Sequence, residues 1–190
     1  MNGPVRTFIA VHIPDTVRRN IGALVNGLRA FGGPDVKWVR PESLHLTLKF
    51  LGDVEAERIE AVAGAVETAV SGKAAFNIVL GGTGAFPNPR RPAVLWIGVA
   101  KGSEPLVSLA EAVESALAGI GFGREKRPFS AHLTVGRVRP PGNAGRTVER
   151  MAETGFECDP FRIDAVHVMK SDLQRGGAVY TTLRTLKLQG

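Results

Sequence analysis

Two short stretches of this chain set an imidazole and a hydroxyl two residues apart: His45-Leu46-Thr47-Leu48 and His132-Leu133-Thr134-Val135. Histidine titrates near pH 6.5, so one imidazole can take up a proton while another releases one. Threonine hydroxyls beside them can hold the oxygens of a group on which negative charge develops. The chain has 4 histidines, and 2 of them stand in this one setting. The other two, His12 and His167, lack the threonine and read as structural.

Both stretches read as β-strands with a period of two. In Leu44-His45-Leu46-Thr47-Leu48-Lys49-Phe50 alternation puts His45, Thr47 and Lys49 on one face, and Leu44, Leu46, Leu48 and Phe50 on the other. The leucine face belongs in a core. Lys49 is expected to be solvated at the strand end. In the second stretch His132 and Thr134 share a face. Arg137, five residues after His132, points away from it under strict alternation, although Gly136 permits a bulge that would redirect it.

The elements around these strands follow from spacing. A strand over 8–13 precedes a helix over 15–31 that carries Val17, Ile21, Leu24, Val25 and Leu28 on one stripe, with Asp15 as its N-cap. Gly32-Gly33-Pro34 stops it. A short strand over 36–39, the first histidine strand, a helix over 55–70 and a strand marked by Phe76, Ile78 and Leu80 complete the first half. Six glycines and prolines between Gly81 and Pro92 predict an irregular loop, ending in Arg90-Arg91. The second half offers a strand over 94–99, a helix over 105–120, the basic run Arg124, Lys126 and Arg127, and the second histidine strand. After it come a loop over 140–145, a short helix over 147–153, a strand over 161–169, a turn at 175–177 and a last strand over 179–188.

His45 and His132 are 87 positions apart, and the same offset carries Phe8 and Ala10 onto Leu95 and Ile97. A unit of strand, helix, strand and histidine strand thus occurs twice. The expectation is a single two-lobed domain over 1–190, with a pseudo-twofold axis that brings the two histidine faces together across a cleft.

Bulk properties narrow the class. A chain of 190 residues, 44% hydrophobic and 22% charged, is an ordinary globular profile and argues against disorder. The single cysteine, Cys158, cannot close an internal disulfide, which points to a reducing compartment. No apolar run is long enough to span a bilayer. The net charge of +6 is compatible with a polyanionic ligand such as RNA. No third ligand stands at a zinc spacing, and Gly81-Gly82-Thr83-Gly84 lacks the Lys-Ser/Thr of a phosphate-binding glycine loop. The expectation is therefore a cytoplasmic monomer with no metal or other cofactor.

HLTLKFLGD from His45, HLTVGR from His132, FPNPRRP from Phe86, and Met169-Lys170-Ser171 with Tyr180 resemble the RNA 2',3'-cyclic phosphodiesterases, also named 2'-5' RNA ligases, of the two-histidine phosphoesterase superfamily. The resemblance spans nearly the whole chain. One departure is Phe129-Ser130-Ala131 before the second motif, where many members carry a proline next to the histidine. The resemblance implies an α+β fold of two antiparallel sheet lobes, with helices outside and the histidines in the cleft. It implies metal-independent hydrolysis of an RNA-terminal or nucleoside 2',3'-cyclic phosphate to a 2'-phosphate. In it His45 would be the proton donor and His132 the proton acceptor, with Thr47, Thr134 and Arg137 on the phosphate. Phe86, Arg90, Arg91, Lys126 and Arg127 are candidate RNA contacts, with Phe86 either a base-stacking ring or part of the core.

Two other enzymatic readings share these residues: a 2'-5' ligase acting on tRNA halves, and a phosphodiesterase for another cyclic phosphate such as ADP-ribose 1'',2''-cyclic phosphate. A non-catalytic RNA-binding module is disfavoured because both histidines and both threonines are intact.

Overall fold

The computed structural model describes residues 3–32, 35–139, 144–175 and 177–190. The expected stop at Gly32-Gly33-Pro34, the loop over 140–145 and the turn at 175–177 fall wholly or partly outside these residues.

Alternation in the first strand, β1 (Val5–His12), sends Ile9 and Val11 into the main core and Phe8 and Ala10 to the opposite face. Four strands make the first sheet, in the order β3 (His45–Val54), β1, β8 (Ala165–Gln174) and β9 (Gly177–Lys187). Five make the second: β2 (Val36–Trp38), β6 (His132–Val138), β5 (Val94–Lys101), β4 (Phe76–Phe86) and β7 (Phe161–Ile163). Every pairing between named strands is antiparallel. The α-helices among the described residues are α1 (Asp15–Gly32), α2 (Ile59–Val70), α3 (Ser103–Gly119) and α4 (Gly145–Thr154). They lie on the outer sides: α3 packs on β3, α2 on β8 and β9, α4 on β4, and α1 on α4. One continuous apolar core runs through all of them, from Ile21 and Leu28 through Val62 and Val66 to Leu109 and Leu133. The architecture is the expected α+β arrangement of two antiparallel sheets with helices outside. None of the helices among the described residues is long and apolar enough to cross a membrane.

Three expectations about elements change. Asp15 is the first residue of α1 rather than its cap, and its carboxylate takes an ion pair from Arg18 at 2.9 Å. The glycine-rich stretch after Leu80 is not a loop, since β4 continues to Phe86. A bulge follows Leu80, with Gly82 at φ +71°. Beyond it the Trp96 indole of β5 occupies the space that a Cβ on Gly84 would need. Glycine there serves close packing, and the irregular part of the chain shrinks to the turn after Phe86. The single strand expected over 161–169 is two. β7 pairs with β4 in the second sheet, the chain leaves strand geometry at Asp164, and β8 joins the first sheet beside β1. Burial alternates from Phe161 through Asp164 to Ala165, so the period-two pattern runs across the break without marking it.

Candidate active site

The two sheets come together along β3 and β6, the histidine strands. Between them lies a cleft of about 550 Å³. His45, Thr47, His132, Thr134 and Arg137 all line it. Both imidazoles are held in the same way. His45 Nδ1–H donates to the Ser43 carbonyl at 2.8 Å, and His132 Nδ1–H to the Ser130 carbonyl at 2.7 Å. Each acceptor is the residue two positions upstream. This bond consumes Nδ1 and leaves Nε2 as the nitrogen free to exchange a proton. Aromatic rings pack against both imidazoles. Phe8 lies 4.8 Å from His45 and Tyr180 meets it edge-on at 5.0 Å, while Phe86 meets His132 edge-on at 5.0 Å.

A bulge just after the threonine of each histidine strand sets the direction of the side chains beyond it. In β3, Ala10 stands opposite Thr47 but Ile9 opposite Lys49, which leaves Leu48 extra. In β6, Trp96 stands opposite Thr134 but Leu95 opposite Gly136, which leaves Val135 extra. Each extra residue reverses the alternation beyond it. Arg137 therefore turns into the cleft, as a bulge at Gly136 would allow. A Cβ on Gly136 would sit 2.9 Å from Val36 Cγ1, so the glycine also lets β2 close on β6.

The same reversal overturns two expectations in the first strand. Phe50, expected in the core, is 45% exposed and lines the cleft, with the Arg6 guanidinium 4.7 Å above its ring. Lys49, expected in solvent, is only 4% exposed. Its ammonium donates to Glu114 Oε2 on α3 at 2.7 Å and to the Gly123 carbonyl at 2.8 Å. The other oxygen of Glu114 accepts the Glu125 backbone N–H at 2.8 Å. Burial of an ammonium requires such partners, and here it has them.

The expected RNA contacts fare differently. Arg90, Arg91, Lys126 and Arg127 are exposed but do not line the cleft. The backbone N–H groups of Arg90 and Arg91 close a turn on Asn88 Oδ1. Phe86 is half-buried, packed against Trp96 at 5.3 Å as well as against His132, so its ring supports the imidazole. The cations that do line the cleft besides Arg137 are Arg6, Lys37 and Arg40, from β1, β2 and the 3-10 turn region after it. Strand periodicity alone gave no reason to single them out. Among the described residues no three His, Cys, Asp or Glu side chains converge as an ion site would require.

His45 has a low affinity for protons in this setting, its pKa pushed down from 6.5 to about 4. Burial is the largest cause. The bond to the Ser43 carbonyl opposes it, and His12 and Arg18 add repulsion. His12 faces His45 directly across the β1–β3 ladder and stacks on His167, with ring centroids 3.7 Å apart and planes 10° apart. Both imidazoles of that stack are also pushed down, chiefly by burial. Three of the four histidines thus form one row across β3, β1 and β8, the third bonded to Thr185 of β9 at 3.1 Å.

Comparison with known proteins identifies the family and the fold. The family model described as LigT like Phosphoesterase matches the chain twice, over residues 11–96 and 97–180. An RNA 2',3'-cyclic phosphodiesterase of Methanothermobacter thermautotrophicus is 34% identical over 185 residues, covering 97% of this chain and 99% of the relative. One of Archaeoglobus fulgidus is 36% identical over 187 residues, covering 96% and 100%. Among solved structures, the TT0787 protein of Thermus thermophilus superposes with a TM-score of 0.79 at 27% identity, covering 97% of this chain and 98% of that one. E. coli LigT in its apo form gives 0.78 at 25% identity, covering both chains fully.

Proposed function

This chain belongs to the LigT-like phosphoesterases, and we propose that it opens the 2',3'-cyclic phosphodiester at an RNA end, or on a nucleoside, to a 2'-phosphomonoester without a metal ion. The observation that supports this most is the pair of imidazoles opening on one cleft, each oriented by the carbonyl two residues upstream. His132 Nε2 takes a proton from water as the water oxygen bonds to phosphorus. The bond from phosphorus to the 3'-oxygen breaks, and His45 Nε2–H gives that oxygen its proton, leaving the phosphate on O2'. Thr47 and Thr134 hydroxyls and the Arg137 guanidinium hold the nonbridging oxygens as charge grows on them. We read the double match of the family model as one two-lobed domain with an internal repeat of 87 residues. We assign it to a cytoplasmic monomer, the reducing compartment supported by the lone Cys158.

The test is incubation of the purified protein with a chelator on 2',3'-cyclic mononucleotides, cyclic-phosphate-ended oligonucleotides, tRNA halves and ADP-ribose 1'',2''-cyclic phosphate, with products identified by phosphorus NMR. The expected product from the first two is a 2'-phosphate. A 3'-phosphate would place the leaving group at O2' and reverse the substrate in the cleft. Loss of turnover on chelation would end the metal-independent reading.

The low basicity of His45 makes a second measurement informative. A proton donor must carry its proton when the substrate is bound, and an imidazole at about 4 does not carry one at neutral pH. A phosphate anion beside it favours the charged form and raises its pKa. The His45 ring should therefore titrate near pH 4 in the protein alone and well above that with a 2'-nucleotide bound, as followed by NMR of labelled histidine. If the midpoint stays where it is in the free protein with the nucleotide in place, the donor role passes to His132.

A further inference from the structure

In the β2–β6 ladder Lys37 is the direct partner of Arg137. Both side chains are exposed and line the cleft. Among the described residues neither makes a side-chain hydrogen bond or ion pair. Side chains at directly opposed positions of an antiparallel pair stand about 4.5–5.5 Å apart at Cβ, and like charges there repel. The arrangement is favourable when an anion lies between them. Arg40, just beyond β2, is also at the cleft but is engaged: its Nη2–H donates to the Ala178 carbonyl at 3.1 Å and its Nε lies 3.4 Å from Glu42. Among the described residues no aspartate or glutamate lines the cleft, against four lysine or arginine side chains. One cyclic phosphodiester brings a single negative charge, already served by both threonines and Arg137, which leaves the Lys37 charge over. The cleft volume is in the range that takes a whole ligand rather than a lone anion.

We infer that Lys37 and Arg137 form a subsite for a second phosphate, the phosphodiester that links the terminal nucleotide to its 5' neighbour, so that the preferred substrate is an oligonucleotide. This rests on the cyclic phosphodiesterase reading above. Arg137 lies between the two phosphates: its five N–H donors form a fork wide enough to serve the reacting phosphate and its neighbour. Lys37 reaches only the second, as a point charge. The subsite lies at the β2 edge of the second sheet, so the RNA leaves the cleft past β2 and not past the exposed Arg90-Arg91 turn.

The experiment compares four substrates: a cyclic mononucleotide, a dinucleotide ending in a 2',3'-cyclic phosphate, the same dinucleotide with its internal phosphate replaced by a neutral methylphosphonate, and ADP-ribose 1'',2''-cyclic phosphate. Each is assayed on the wild type, Lys37→Ala and Lys37→Arg. Lys37→Ala should raise KM for the dinucleotide about fivefold more than for the mononucleotide, the upper range for an exposed ion pair, with kcat held. The methylphosphonate should lose that difference, and Lys37→Arg should restore the wild-type ratio. The log–log salt slope of kcat/KM should be steeper by roughly 0.7 for the dinucleotide than for its methylphosphonate. Equal losses on the mononucleotide and the dinucleotide, or none on either, would overturn the subsite. A larger effect on ADP-ribose 1'',2''-cyclic phosphate than on the dinucleotide would assign the second phosphate to a pyrophosphate and overturn the oligonucleotide. Failure of the wild type to open any cyclic phosphate removes the underlying reading, whereas a dinucleotide insensitive to Lys37 removes only this inference.

Discussion

Replacing either His45 or His132 by alanine is expected to lower kcat about 10²–10⁴-fold, the usual yield of a positioned acid or base. The double variant should fall little below the weaker single one, because acid and base act on the same transition state as a unit. Both rings are half-buried at the cleft wall, so alanine there removes the imidazole without hollowing the core. Wild-type activity should follow a bell-shaped pH profile, one limb from each imidazole. A cyclic substrate with sulfur in place of the 3'-oxygen separates the roles, since a thiolate leaves without a proton. That substrate should restore much of the activity of His45→Ala and little of His132→Ala. The opposite pattern would exchange the two roles. Losses below about tenfold in both single variants would remove the histidines from the chemistry altogether.

Lys49→Ala should destabilise the fold by about 3–5 kcal/mol, as removal of one member of a buried ion pair does. The Lys49 side chain is 2% exposed and that of Glu114 is 18% exposed, so among the described residues the carboxylate left behind would keep the Glu125 N–H as its one protein donor. The Gly123 carbonyl would lose its donor as well. At roughly 2–4 °C per kcal/mol for a chain of this size, the melting temperature should fall by about 10 °C. Lys49→Met paired with Glu114→Gln should cost much less than Lys49→Ala, because no charge is then stranded. Urea unfolding of these variants provides the check. An alanine variant that melts with the wild type would return Lys49 to the solvated surface that its place in the strand pattern predicts.

The contrast between Lys49 and its neighbours separates what was legible in the sequence from what was not. Alternation within His45-Leu46-Thr47-Leu48 and His132-Leu133-Thr134-Val135 is a local property of the extended chain. It put each histidine with its threonine on the face opposite the leucines, and the repetition of the pattern marked that face as a site. Helical spacing located α1, α2 and α3 for the same reason, since 3.6-residue periodicity needs no partner to be read. The bulges at Leu48 and Val135 are different. A bulge is a mismatch of count between two strands, and it exists only in the pairing of β3 with β1 and of β6 with β5. Nothing within either histidine strand counts the residues of its neighbour. The exchange that buries Lys49 and bares Phe50 was therefore settled by tertiary pairing, and so was the turn of Arg137 into the cleft. Packing likewise made a strand of the glycines before Phe86, because the Trp96 indole fills the space over Gly84, and it split 161–169 at Asp164, because two sheets claim its two ends. The cleft cations Arg6, Lys37 and Arg40 had no mark of their own in the chain. Each lies far in sequence from His132, and only the folding of β1 and β2 against the histidine strands brings their charges to one place.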